Sequence, residues 1–242
     1  MSIPDQWKHL RPSEYTEGTA TERLVGFIDL APTLMSLMGV KPPQWMQGAA
    51  FLGVHEATPR RYNFGFRGRM DERYDMVRSV RNKRYIYIRN YMPHKIYGQY
   101  IAYMFQTPTT RVWRELYDAG ELTPPQTFFW ETKPAEELYD LQADPDEVNN
   151  LAQSAAHQDV LLELRAAQQE LALEIRDLGF LPEGEIHSRS AGQAPYEMGH
   201  DVSRYPLERI MAAAEMAAAF DDESLAAVRK SLLDKDSAVR YW

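Results

Sequence analysis

Residues 133–152 read Lys-Pro-Ala-Glu-Glu-Leu-Tyr-Asp-Leu-Gln-Ala-Asp-Pro-Asp-Glu-Val-Asn-Asn-Leu-Ala. Side chains in Glu136–Leu141 alternate, with Tyr139 and Leu141 on one face and Leu138 on the other, which predicts a strand bounded by Pro134 and a turn. Asp144 then offers a cap, and Pro145 stands where no N–H is needed. Glu147, three residues after Asp144, has capping-box spacing. Asn149 and Asn150 tolerate left-handed geometry and are expected to stop the turn, returning Leu151 to apolar surroundings. The physics describes a strand that ends in a well-made corner.

Outward from this corner the chain alternates layers. Leu24–Ile28 is a short apolar run expected to be a buried strand, after which Asp29 caps a helix carried by Leu30, Leu34, Leu37 and Met38 and stopped by Gly39. Strands are expected at Arg60–Phe66, Met76–Arg81 and Arg84–Tyr91, the last two forming a hairpin around Asn82-Lys83. Residues 92–131 are aromatic and Pro-rich without a clear period, with one helical piece at Thr109–Ala119. The clearest helix runs from Ala156 to Leu178, with Val160, Leu164, Ala167, Leu171, Ile175 and Leu178 along one face and Gly179 as its stop. Residues 183–205 read as a polar linker, followed by a helix from Pro206 to Phe220 and a second one capped by Asp222.

The spelling Pro-x-Glu-Glu-Leu-Tyr-Asp-Leu-x-x-Asp-Pro-x-Glu-x-x-Asn-Leu-Ala resembles the late segment of the sulfatase family. Phe27–Leu34, followed by Gly39, Pro43 and Gln47-Gly48, resembles the same family, as does the Arg81–Asn90 strand. The resemblance spans about residues 1–187 and covers only the C-terminal part of the family pattern. It implies an α/β, alkaline-phosphatase-like fold: a small antiparallel sheet covered by a long amphipathic helix, plus a C-terminal α-helical segment. The expected divisions are 1–55, the end of the α/β core; 56–182, the antiparallel subdomain; 183–205, a linker; and 206–242, helical. Asp234–Trp242 resembles the inner turn of a HEAT repeat, which implies neighbouring repeats. The terminal Trp242 ring is expected to stand uncovered.

Composition narrows the possible functions. The 242 residues are 44% hydrophobic with a net charge of −8, which disfavours broad contact with nucleic acid, and no stretch is apolar enough to span a membrane. With no cysteine there is neither a disulfide framework nor a thiolate nucleophile. Residues 1–9 have no basic region followed by an apolar one, so no export signal is read, although the resemblance implies a periplasmic or extracellular setting.

Complete sulfatases work through a formylglycine made in a Cys/Ser-x-Pro-x-Arg motif, with a calcium ion held by Asp and Asn side chains. The metal and cations neutralise sulfate while the hydrated aldehyde attacks sulfur. None of that set transfers here: the chain has no Cys, and no Ser is followed by Pro and Arg at the required spacing. No catalytic residue, metal ligand or bound cofactor is therefore expected, and the chain alone is expected to be inactive. Substrate contact is what remains. Arg67, Arg69, Asp71 and Arg73 lie in Phe-Arg-Gly-Arg-Met-Asp-Glu-Arg-Tyr, which resembles a stretch of the heparan N-sulfatase-like branch, with Gly68 where that branch has Asp. Arg67 and Arg69 could pair with sulfate or carboxylate groups of a sugar, or the loop could be a solvated charged turn. His94 could line the same mouth. The expected partners are a sulfated small molecule or sugar for the complete enzyme, and a missing N-terminal half. A second reading makes the chain an interaction module or complementing subunit that uses its helical C-terminus.

Overall fold

A computed structural model describes residues 3–12, 15–219 and 221–242. The last residue of the expected 206–220 helix therefore lies outside the described residues. The chain divides into two compact units, residues 1–63 with 81–84, and residues 64–80 with 85–242. Among the described residues no helix is long and apolar enough to cross a membrane.

The first unit is built around α1, Leu30–Leu37. The apolar run before it is not a strand: Phe27–Asp29 forms a 3-10 turn, and Phe27 and Ile28 are exposed. Asp29 precedes α1 but its side chain makes no capping bond to the helix. Its buried carboxylate accepts from the Gly26 N–H (2.8 Å) and the Ala49 N–H (2.7 Å) and pairs with Arg60. Thr33 and Ser36, one turn apart on the inner face of α1, accept from the Phe51 N–H (3.1 Å) and the His55 N–H (2.8 Å). Gly53 takes φ 88° in this strap, and a Cβ there would meet the Ser36 carbonyl carbon at 2.6 Å. The strap is thus sewn to a polar helix face.

The second unit holds most of a four-stranded sheet in the order β1 (Asn63–Arg67), β2 (Val77–Arg81), β3 (Tyr85–Asn90) and β4 (Glu136–Asp140). Strands β3 and β4 pair antiparallel, with Tyr87 opposite Leu138 and Arg89 opposite Glu136. Val80, Tyr87 and Leu138 are fully buried. Helix α2 (Pro108–Asp118) belongs to the aromatic excursion, and α3 (Gln158–Glu174) packs on β3. The buried stripe of α3 is Leu161, Leu164, Gln168 and Ala172, whereas Ile175 is exposed. The helix stops before Gly179: Arg176 adopts φ 54° while its guanidinium donates to the Gly199 carbonyl (2.9 Å) and to that of Tyr205.

The corner also differs in detail. No helix follows Asp144, so no capping box forms. Its carboxylate accepts from Val148 (2.9 Å) and Asn149 (2.7 Å), and Glu147, not an Asn, takes the left-handed conformation. Asn150 lies along β4, accepting from the Leu138 N–H (3.0 Å) and donating to the Glu136 carbonyl (3.0 Å). The Leu151 N–H then reaches the Leu138 carbonyl at 2.7 Å. These bonds satisfy groups that an edge strand would otherwise leave open.

The segment expected to be a linker folds as α4 (Glu183–Ser190) and α5 (Pro195–His200), with Met198 and Tyr205 fully buried. Helices α6 (Leu207–Ala219), α7 (Asp222–Ser231) and α8 (Ser237–Tyr241) complete the unit. Asp221, not Asp222, caps α7 by accepting from the Ser224 N–H at 2.7 Å. Trp242 is not left uncovered. Its indole N–H donates to the Phe180 carbonyl (2.9 Å), and its ring meets Tyr91 and Phe180 edge-on.

Candidate anion-contact site

Arg67 ends β1 and Asp75 precedes β2, so the loop between them turns back on itself. Met70 and Arg73 exchange backbone hydrogen bonds of 3.0 Å, closing a two-residue turn in which Asp71 takes φ 51°. Asp tolerates this conformation better than most residues. Asp71 is thereby assigned to the turn and points to no partner in the cluster below.

Asp75 is the centre of that cluster. Its side chain is fully buried, as is that of Lys133, whose ammonium sits 2.6 Å from both Asp75 oxygens. Burial lowers the Lys133 pKa, and the bonds and charge of Asp75 oppose that shift. The Arg67 Nε lies 3.7 Å from Asp75, beyond a hydrogen bond, while its Nη2 donates to the Tyr97 carbonyl at 3.2 Å. Burial lowers the Arg67 pKa, and nearby Arg73 adds to the effect. The Tyr97 ring lies beneath both cations, 5.7 Å from the Arg67 guanidinium and 5.2 Å from the Lys133 ammonium. Behind it, Glu137 accepts from the Tyr97 hydroxyl, the Tyr139 hydroxyl (2.6 Å) and the Asn90 amide (2.6 Å). That network spends Glu137 internally.

Two cations, Arg67 and Lys133, therefore flank Asp75, and Arg73 lies near enough to Arg67 to act on its charge. Among the described residues, the buried Nε atoms of Arg67 and Arg73 have no hydrogen-bond acceptor. Arg67 keeps 27% of its side chain exposed, so the group is open to solvent on one side. The Lys133 N–H donates to the Pro93 carbonyl (2.9 Å), which brings the 91–95 loop alongside. His94, exposed, feels both Lys133 and Asp75. Desolvation, Lys95 and Lys133 lower its pKa, which favours the neutral imidazole. Of the residues anticipated from sequence, the structure gathers Arg67, Arg73 and His94. Arg69 turns instead to Glu183, at the first turn of α4, in an ion pair with both side chains more than half exposed.

Asp75, Lys133 and Tyr97 were not legible as site residues. A Lys before Pro at the start of a strand reads as an exposed cation, and only the fold buries it. Gly68, in contrast, carries no conformational demand: its φ is not in the left-handed region, and nothing lies within 4 Å of an added Cβ. The chain has no cysteine, and among the described residues no three His, Asp or Glu side chains are grouped to hold a metal.

What the geometry defines is a partly exposed cluster of cations around a buried Lys133–Asp75 pair, beside an antiparallel sheet. The chain is 39% identical over 176 residues to an ulvan-active sulfatase of Formosa agariphila, a match covering 72% of this chain and 30% of that protein. A second ulvan-active sulfatase of the same organism is 28% identical over 155 residues, covering 62% of this chain and 29% of that protein. The chain thus spans less than a third of the length of the curated relatives it matches and is homologous to part of them. No family model matches. Among solved structures, a 2-O GAG sulfatase superposes with a TM-score of 0.40 at 22% identity, covering 62% of this chain and 25% of that one. A protein solved with its substrate D-glucosamine-2-N,6-O-disulfate gives a TM-score of 0.39 at 19% identity, covering 62% and 24%.

Proposed function

We propose that this chain is the substrate-contacting C-terminal segment of a sulfatase-like hydrolase, in which Arg67, Arg73 and His94 meet a sulfate or carboxylate group of a sugar. The observation that carries the reading is the partly exposed Arg67 guanidinium, held 3.7 Å from an Asp75 carboxylate that is already paired with Lys133, with Arg73 as a neighbouring cation. A bound oxyanion would meet the solvent-facing part of Arg67, and guanidinium groups suit such oxygens geometrically. Lys133 and Asp75 act as positioning residues: their ion pair sets the loop that presents Arg67 and Arg73. Arg69 and Asp71 take lesser parts, Arg69 as an outer cation held by Glu183 and Asp71 through the turn. The nucleophile and the metal site belong to the portion of the relatives that this chain does not match.

The test is a chimera in which this chain replaces the matching segment of the 39%-identical relative. Arg67→Met is expected to lower its kcat/KM on a sulfated saccharide about 30- to 100-fold, in line with a lost charge-assisted contact. Glu121→Gln, an exposed change away from the cluster, is the control. An Arg67→Met chimera within twofold of the parent would refute the assignment.

A further inference from the structure

Helix α1 is inside out for an isolated unit. Its inner face is polar and small, with Pro32, Thr33 and Ser36 buried, while the stripe Phe27, Leu30, Leu34 and Met38 faces solvent. Phe27 is 93% exposed, Leu34 61% and Met38 71%, and Trp45 nearby is 77% exposed. The spacing i, i+3, i+7, i+11 is that of a helix stripe meant for burial. The orientation is held firmly: turning α1 to hide the stripe would break the Thr33 and Ser36 bonds to the 51–55 strap and uproot Asp29 from Gly26 and Ala49. A contiguous apolar patch so fixed marks an interaction surface.

We infer that this stripe docks onto the complementary portion of a sulfatase-like domain, the part of the relatives that lies outside their match to this chain. The inference rests on the function proposed above. The occupant follows from coverage: the match takes in only 30% of the relative, so about two thirds of such a protein remains to be packed against. A second copy of this chain is the competing occupant, and the mass of the purified complex distinguishes the two.

The experiment co-expresses this chain, tagged, with the unmatched portion of the 39%-identical relative and weighs the purified complex. The expected result is a 1:1 complex that Leu34→Asp with Met38→Asp reduces at least tenfold, while Leu233→Asp, an exposed apolar site on the other unit, leaves it intact. Absence of a complex, a complex indifferent to the double substitution, or a homodimer abolished by it would overturn the inference. A second measurement needs no soluble partner. Leu34→Asp should leave the melting temperature of the isolated chain within about 1 °C yet lower that of the chimera by about 5 °C. Equal shifts in both would overturn the inference. These readouts do not involve turnover, so they can fail while the Arg67 assignment stands, and the reverse.

Discussion

Lys133 shows how a buried pair can be structural and yet govern a surface. Removing the ammonium would leave Asp75 buried, with the Met76 N–H at 2.9 Å and the Arg67 guanidinium at 3.7 Å. Lys133→Met should therefore cost about 3 kcal/mol in urea unfolding, the lower end for breaking a buried pair, because the Arg67 charge remains. A loss under 1 kcal/mol would contradict a structural role for the pair. Gly68 offers the opposite case. With open space around it and no left-handed backbone, Gly68→Asp should fold with stability within about 0.5 kcal/mol of the parent. A clearly lower urea midpoint would show that the loop needs glycine. The sequence singled out Arg67, Arg69, Asp71 and Arg73 because charge in a short loop is visible by eye, and His94 from the aromatic segment that follows. Tyr97 joins them through a contact 30 residues along the chain and Lys133 through one 58 residues from Asp75, which no local pattern encodes.

At the scale of elements, β4 joins the sheet to its covering helix. Arg165 of α3 grips Glu136 with two bonds of 2.7 Å, and Tyr87 of β3 donates to the same carboxylate at 2.6 Å. Burial alone would raise the Glu136 pKa, but these bonds outweigh it and hold it below the usual glutamate value. Because the folded value is depressed, its stabilisation is present above the unfolded pKa, about 4.3, and disappears as pH falls through the folded value. Arg165→Met should flatten the acid limb of a stability-versus-pH curve measured by denaturant unfolding; an unchanged acid limb would remove Glu136 from the account. The edge of β4 supplies a further check. Asn150→Ala strips the Leu138 N–H and the Glu136 carbonyl of partners and should cost about 1–2 kcal/mol of stability to urea. Local patterns located β1 to β4 and helices α1, α2, α3, α6 and α7 but also placed a strand at Leu24–Ile28, where Phe27–Asp29 forms a 3-10 turn. They misplaced the end of α3, because Arg176 is stopped by carbonyls from Gly199 and Tyr205, and they missed α4 and α5, whose polar composition hides Met198 in the core.

For the whole molecule, the two units carry different signatures. The second encloses a core of Tyr91, Phe180, Met198, Tyr205, Leu207 and Ile210, tied to the C-terminal helix by Arg189, which donates to Asp236 at 2.8 and 3.0 Å. The first is organised by buried hydrogen bonds to Asp29, Thr33 and Ser36 and leaves its helix stripe outside. Cations gathered in the second unit and an apolar helix face exposed in the first fit the proposed role of this chain as one portion of a sulfatase-like protein. The most direct check is sulfate release from an aryl sulfate, with calcium, in a fixed amount of the complementary portion titrated with this chain. The account predicts that release by this chain alone stays at the level of a heat-killed control, and that turnover rises and saturates as the chain is added. Release by the chain alone, or a titration that stays flat, would contradict it.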